Sequence, residues 1–258
     1  MQTFVYVLVT LCANLTAVIS SDTTGNQSAN WAGGLGIMLG IYLAGGISGA
    51  HLNPAISLVL CLFRGFPLRK VAFYVTSQCL GAFLAALVAY GIYRDAVLAF
   101  DGGTLDASKN GSGKAFMTGL STDFGRGARF GNEFVATSIL AGAILALGDD
   151  ANAPPGAGMH ALIVGLVVVL LGMAFSSPTG ACLNPARDFG PRLAALAVGY
   201  GKEVFTADNG WWIWGSWAAT ISGALTGGLI YDSFVFVGSE SPVNYALRKK
   251  RRRKIREE

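Results

Sequence analysis

Apolar residues run through positions 3–20, 31–47, 71–93, 130–148, 159–175 and 211–236, separated by polar or glycine-rich breaks. Each run is near the roughly 20 residues that a helix needs to cross about 30 Å of hydrocarbon, so the pattern predicts six spans. Two further stretches, 53–61 and 184–193, are too short to cross alone. Each opens on Asn followed by Pro, a good N-cap followed by a residue suited to the first helical position. They predict two half-helices that start inside the membrane and meet end to end. The eight residues Gly49-Ala50-His51-Leu52-Asn53-Pro54-Ala55-Ile56 return 131 positions later as Gly180-Ala181-Cys182-Leu183-Asn184-Pro185-Ala186-Arg187, with six of the eight identical. A helix starting at membrane depth in each half of a duplicated chain points to a pore or transport site at the middle. The expected fold is an all-α membrane protein: six transmembrane helices plus two re-entrant half-helices in an inverted repeat. Repeat one covers about 1–93 and repeat two about 130–236, within a channel unit 1–240 followed by a basic tail, 241–258.

Composition narrows the class. With 52% hydrophobic and 13% charged residues, a soluble domain is excluded, and 35 glycines suit helices packed closely in a membrane. The first apolar run lacks the preceding basic residues of a cleaved signal peptide, and removing it would destroy the symmetry of the two halves. Cys12, Cys61, Cys79 and Cys182 have no CxxC spacing and read as small buried hydrophobes, with no metal site implied. Cys182 alone lies near the expected pore, as a candidate for mercurial block. Two histidines, no metal-ligand spacing and no nucleophile–base pair give no catalytic constellation, and no cofactor is expected.

Charge sets an orientation. The run Arg248-Lys249-Lys250-Arg251-Arg252-Arg253-Lys254 follows the last span and favours the cytoplasmic side against anionic lipid, not nucleic acid. Six spans then place both termini in the cytoplasm, with the 64–70 loop and its Arg64, Arg69 and Lys70 beside them. The 148–158 and 94–129 loops do not follow this rule: the first carries Asp149 and Asp150, the second five basic residues. The Asn26 and Asn110 glycosylation sequons fall in the two loops placed outside, while the Asn14 sequon lies within a span.

Non-helical backbone at membrane depth is tolerated where it lines a water-filled cavity. The loops before each half-helix, 48–52 and 178–183, should therefore present carbonyls to a pore, including those of Gly49, Ala50, His51, Gly180 and Cys182. Asn53 and Asn184 can cap their helices through the side-chain oxygen and keep the amide NH2 as a donor to passing solute. Both helices aim the positive ends of their dipoles at this point, a barrier to cations and protons but not to neutral molecules. Arg187 stands where repeat one has Ile56. An arginine at membrane depth is costly and usually functional, and its donors can hold solute hydroxyls. The structural alternative is an arginine packed on Asp188. His51 reads as an organiser of its loop and Glu133 as structural.

Ser48-Gly-Ala-His-Leu-Asn-Pro-Ala55 and Leu183-Asn-Pro-Ala-Arg-Asp-Phe-Gly-Pro-Arg192 resemble the motifs of the major intrinsic protein family, the aquaporins and aquaglyceroporins. The resemblance covers essentially the whole chain and implies the aquaporin fold, without cofactor. Asp188, Gly210-Trp211-Trp212 and Gly228-Leu-Ile-Tyr-Asp232 look like the glycerol-conducting branch, fungal members in particular. It implies a passive channel for glycerol and water, with urea or larger polyols as further solutes, a homotetramer and a plasma-membrane location. A mainly water-conducting pore is the alternative. Counting from the motifs, the family's selectivity filter falls on Gly33, Gly172, Ala181 and Arg187. Glycerol facilitators commonly carry aromatic rings at the positions of Gly33 and Ala181, so the filter here is expected to be wide, unless the Trp31 ring reaches its mouth. Glu133 matches a family glutamate that braces the second re-entrant loop. Its counterpart in span one falls just before Thr3, where the sequence offers Gln2 and Met1, so that loop is expected to lack a carboxylate brace.

Overall fold

The computed structural model describes residues 1–20, 25–120, 123–156, 158–238 and 241–243. The Asn26 side chain and the basic run 248–254 lie outside the described residues. No strand occurs among them. The helices are α1 (Gln2–Ile19), α2 (Gly25–Ser48), α3 (Pro54–Arg64), α4 (Leu68–Phe100), α5 (Arg126–Leu147), α6 (Met159–Thr179), α7 (Pro185–Val198), the short α8 (Glu203–Thr206) and α9 (Thr220–Phe234). Among the described residues, five helices are long and apolar enough to cross a membrane: α1, α2, α4, α5 and α6. The span expected at 211–236 is in two parts, a π-helical stretch Trp212–Ala219 that runs into α9.

Boundaries depart from the hydropathy pattern where polar residues end an apolar run without ending a helix. Helix α4 has 33 residues, about 50 Å at 1.5 Å each, and passes through Arg94 and Asp95. Their side chains are 59% and 96% exposed, so the helix projects beyond the hydrocarbon there. Helix α2 starts six residues before its expected span and kinks at Ala44 (φ −156°, ψ 24°), next to the pair Gly45-Gly46. The half-helices overrun their expected ends and stop at glycines in the left-handed region, Gly65 (φ 70°) and Gly199 (φ 112°).

Packing interleaves the two repeats. Helix α1 packs on α2 and α4, and α5 on α6 and α9, each within its own repeat. Helix α2 also packs on α6, joining the halves. Each half-helix crosses to the last span of the other repeat, α3 against α9 and α7 against α4. Small residues permit these crossings. A Cβ on Gly34 would lie 2.4 Å from the Gly165 carbonyl oxygen and from Val169 Cγ2, and one on Gly227 would lie 2.1 Å from the Ser138 oxygen. In a membrane, where lipid is as apolar as leucine, such close backbone approach supplies the packing energy.

Candidate pore

The Asn-Pro pairs form the caps that their sequence predicts. Asn53 Oδ1 accepts from Ala55 N at 2.9 Å, and Asn184 Oδ1 accepts from Ala186 N at 3.0 Å and Arg187 N at 3.3 Å. The amide ends are not wholly free, however. Asn53 Nδ2 donates to the Leu183 carbonyl at 2.7 Å, and Asn184 Nδ2 donates to the Leu52 carbonyl at 2.9 Å. Each asparagine thus caps its own half-helix and grips the loop before the other. An amide nitrogen carries two hydrogens, so one donor per asparagine is committed to this interlock and one remains for solute.

The loops leading into the half-helices have matching strained backbone. Ala50, Leu52, Ala181 and Leu183 lie in the left-handed region (φ 47°, 56°, 47° and 53°), after Gly49 and Gly180 at φ 72° and 81°. Such conformations cost non-glycine residues about 1–3 kcal/mol each and persist only where surroundings enforce them. In the second loop the enforcer is Glu133, fully buried on α5. Its Oε1 accepts from Cys182 N at 2.8 Å and from Thr179 Oγ1, and its Oε2 accepts from Leu183 N at 2.9 Å. Three donors and no competing acceptor match an ionised carboxylate.

The first loop is held otherwise. Gln2 stands near the place of a brace, and its Oε1 accepts from Ser48 Oγ at 2.8 Å, not from a loop N–H. Tyr74 donates to the Ser48 carbonyl at 2.9 Å. His51 sits between the rings of Phe66 and Tyr74, at centroid distances of 4.5 and 4.8 Å, with Nδ1 3.1 Å from Ser57 Oγ. Ser57 Oγ in turn accepts from Gln78 Nε2 at 3.0 Å.

Arg187 is 7% exposed, and its Nη1 has no hydrogen-bond partner among the described residues. It does not pack on Asp188, which contradicts the structural alternative. Asp188 pairs instead with Arg192, one helical turn on, at 2.7 Å between Oδ2 and Nε, both side chains fully buried. Asp188 Oδ1 also accepts from Thr118 N and Oγ1 at 2.8 and 2.7 Å, while Arg192 Nη2 donates to the Thr118 carbonyl at 2.7 Å. This cluster fastens the 112–118 segment to α7 and leaves the neighbouring guanidinium to the lumen.

One cavity of about 270 Å3 runs past these groups. It extends from Ile144 and His160 at one end, past Asn53 and Asn184, to Gly33, Gly172, Ala181 and Arg187 at the other. Gly49, Ala50, His51, Gly180 and Cys182 also line it. The Cys182 thiol is turned into the protein, 3.4 Å from Ser216 Oγ, so this residue's exposure is 1%. Trp31 does not line the cavity and is 45% exposed on the outside of α2. The preceding residue, Asn30, lines it instead, as do Tyr6, Thr10 and Asn14 of α1. These four and His160 lie outside the two repeated motifs. Asparagine inside an apolar run was the available signal, since polar groups within spans are usually functional. Asn30 also fills the room that Gly172 leaves: a Cβ at 172 would meet Asn30 Oδ1 at 2.9 Å.

Comparison with known proteins agrees with this geometry. The chain is 54% identical over 239 residues to an aquaglyceroporin of Botryotinia fuckeliana, covering 91% of this chain and 32% of that protein. It is 43% identical over 244 residues to an aquaglycerol porin of Saccharomyces cerevisiae, covering 94% of this chain and 38% of that one. The chain therefore spans about a third of the length of these curated relatives. Among solved structures, the aquaglyceroporin from Plasmodium falciparum superposes with a TM-score of 0.75 at 28% identity, covering 91% of this chain and 94% of that one. The fold is thus the aquaporin fold. The profile described as major intrinsic protein matches residues 1–231, and the chain belongs to that family of integral membrane proteins.

Proposed function

We propose that the chain is a passive channel, not an enzyme, which equilibrates glycerol and other small uncharged polar solutes, together with water, and excludes protons and ions. The observation that carries this reading is the interlocked asparagine pair, set in a continuous cavity with an arginine beyond it whose Nη1 has no partner among the described residues. The cross-bonds of Asn53 and Asn184 bring the N-termini of α3 and α7 to one point in the lumen. Two positive helix ends there oppose a cation or a proton hopping along water, while a neutral hydroxyl meets fixed donors. Gly33 and Ala181 themselves contribute no ring to the wall, and Arg187 Nη1, without a partner among the described residues, can donate to a hydroxyl oxygen. The aquaglyceroporin names of the fungal relatives point the same way.

On this reading Gly33, Gly172, Ala181 and Arg187 form the selectivity filter, Asn53, Pro54, Ala55, Asn184, Pro185 and Ala186 the central donor tier, and Gly49, Ala50, His51, Gly180 and Cys182 a carbonyl ladder. Glu133 and Asp188 support them. Residues 1–240 make the channel unit, urea and larger polyols are further candidate solutes, and the assembly is a homotetramer with a pore in each protomer. Both termini face the cytoplasm at the plasma membrane, with the basic tail 241–258 against anionic lipid. The test is stopped-flow light scattering on proteoliposomes, comparing water, glycerol, urea and a five-carbon polyol with empty vesicles. Fast glycerol entry supports the facilitator. Water flux alone refutes it in favour of a water channel.

A further inference from the structure

The cavity that holds the transferred filter positions is not the whole passage at that end. A second cavity of about 810 Å3 opens beyond it. The residues lining both are Asn14, Ala29, Asn30, Gly180 and Arg187, and they ring the junction of the two spaces. Gly33, Gly172 and Ala181 line the inner cavity alone. The neck between the cavities therefore lies about one helical turn outward of Gly33 on α2. Two of its five residues carry carboxamides and one a guanidinium.

These polar groups are held in place. Ser176 Oγ shares its hydrogen between the Gly172 carbonyl and Asn30 Oδ1, the latter at 3.1 Å. The absent side chain of Gly172 makes the seat for Asn30, whose Oδ1, Cγ and Cβ would lie 2.9, 3.1 and 3.3 Å from a Cβ at 172. Across the neck, Asn14 Nδ2 donates to the Ala115 carbonyl at 3.1 Å. That bond engages one end of the Asn14 amide and leaves its oxygen as an acceptor. Arg187 Nη1 adds a buried donor without a partner among the described residues. A hydroxyl both donates and accepts, so acceptors and donors on facing walls fit a chain of hydroxyls, where an aromatic wall would fit its carbons.

We infer that Asn30, seated in the notch of Gly172 and opposed by Asn14 and Arg187, is a specificity-determining residue of this channel: the neck selects uncharged polyols by hydrogen bonding rather than by aromatic walls. This deepens the facilitator reading and rests on it. The carboxamide replaces water around a solute hydroxyl as it passes, so its loss taxes hydroxyl-bearing solutes more than water. Gly172 matters because it lets the carboxamide stand back from the axis.

The experiment uses the full chain in proteoliposomes and reads water, glycerol, urea and five-carbon polyol fluxes for four proteins. These are the wild type, Asn30→Leu, Gly172→Ala and the double variant Gly172→Ala with Asn30→Ala. Leucine keeps the volume and removes the hydrogen bonds, so the glycerol-to-water ratio is expected to fall about two- to tenfold, the range for one lost hydrogen bond. Alanine at 172 pushes Asn30 into the neck and should cut the polyol-to-glycerol ratio. Shortening Asn30 in the double variant removes the collision and should restore that ratio. Ratios between solutes do not depend on how many channels fold. Unchanged ratios in Asn30→Leu, or no restoration in the double variant, overturn the inference. Wild-type vesicles that pass water but no glycerol overturn the facilitator reading instead, and the neck is then judged by the urea-to-water ratio in the same variants.

Discussion

Replacing Glu133 by glutamine tests how the strained second loop is held. The change preserves volume and shape but leaves one acceptor oxygen where the carboxylate has two. Oε1 takes Cys182 N and Thr179 Oγ1, and Oε2 takes Leu183 N. In its better orientation, glutamine keeps the oxygen toward Cys182 and Thr179 and turns an NH2 group on the Leu183 N–H. That orphans one buried donor, at about 1–3 kcal/mol, and weakens two charge-assisted bonds to neutral ones, at about 1 kcal/mol each. The sum is about 3–5 kcal/mol. It falls on a loop that already holds Ala181 and Leu183 in the left-handed region, so the loop has every reason to relax. Melting of the detergent-purified protein, followed by tryptophan fluorescence, should move down by about 6–20 °C, at 2–4 °C per kcal/mol for a chain of this size. Glycerol flux per folded channel should fall with it, because Asn184 follows the loop directly. A variant that melts within about 2 °C of wild type and conducts normally would refute the claim that this carboxylate enforces the loop, since even the smallest expected loss exceeds that shift.

Arg187→Ala removes the guanidinium that lines the lumen and should raise proton and cation leak while glycerol flux stays measurable; unchanged leak in pH-dye and conductance assays counts against the arginine as a barrier. Asn53→Ala removes a cap worth about 1 kcal/mol together with the bond to the Leu183 carbonyl, and should melt about 4–8 °C lower at the same conversion. Gly34→Val drives a side chain into the Gly165 carbonyl and Val169; overpacking of this kind costs about 1–3 kcal/mol or more, so gel filtration should show loss of the monodisperse species. Mercurials should block flux slowly, because the Cys182 thiol faces Ser216; rapid block that Cys182→Ala abolishes would show that the thiol reaches the lumen.

What the sequence made legible was local or periodic. An Asn-Pro pair predicts its own helix start, and six apolar runs predict six crossings, since each inference needs only neighbouring residues. The long-range contact that seats Asn30 in the cavity wall was not legible. Asn30 seats on Gly172 from 142 positions away, and nothing in either neighbourhood announces the other. The partner of Asp188 was within reach, however. Consecutive helical residues do not face one another, whereas residues four apart do. Arg187 and Asp188 therefore diverge, and Arg192 is the neighbour that a helical wheel supplies. The same rule separates Trp31 from Asn30: with one side chain in the lumen, the next along α2 turns away from it.

The two halves share a backbone more closely than the means of holding it. Glycine, alanine and leucine adopt the same left-handed conformations before each half-helix. One loop hangs on a buried carboxylate, while the other rests on Ser48, Tyr74, His51 and Ser57. Hydrogen bonds to a charged group are the stronger kind, about 1.5–3 kcal/mol against 0.5–1.5 for neutral ones. Because Asn53 grips the Leu183 carbonyl and Asn184 the Leu52 carbonyl, the firmly held loop also positions the other. The cross-bonds do more than complete a donor tier: they let one carboxylate on α5 help hold both strained loops, so damage at Glu133 should loosen the first motif although no atom of Glu133 bonds to it.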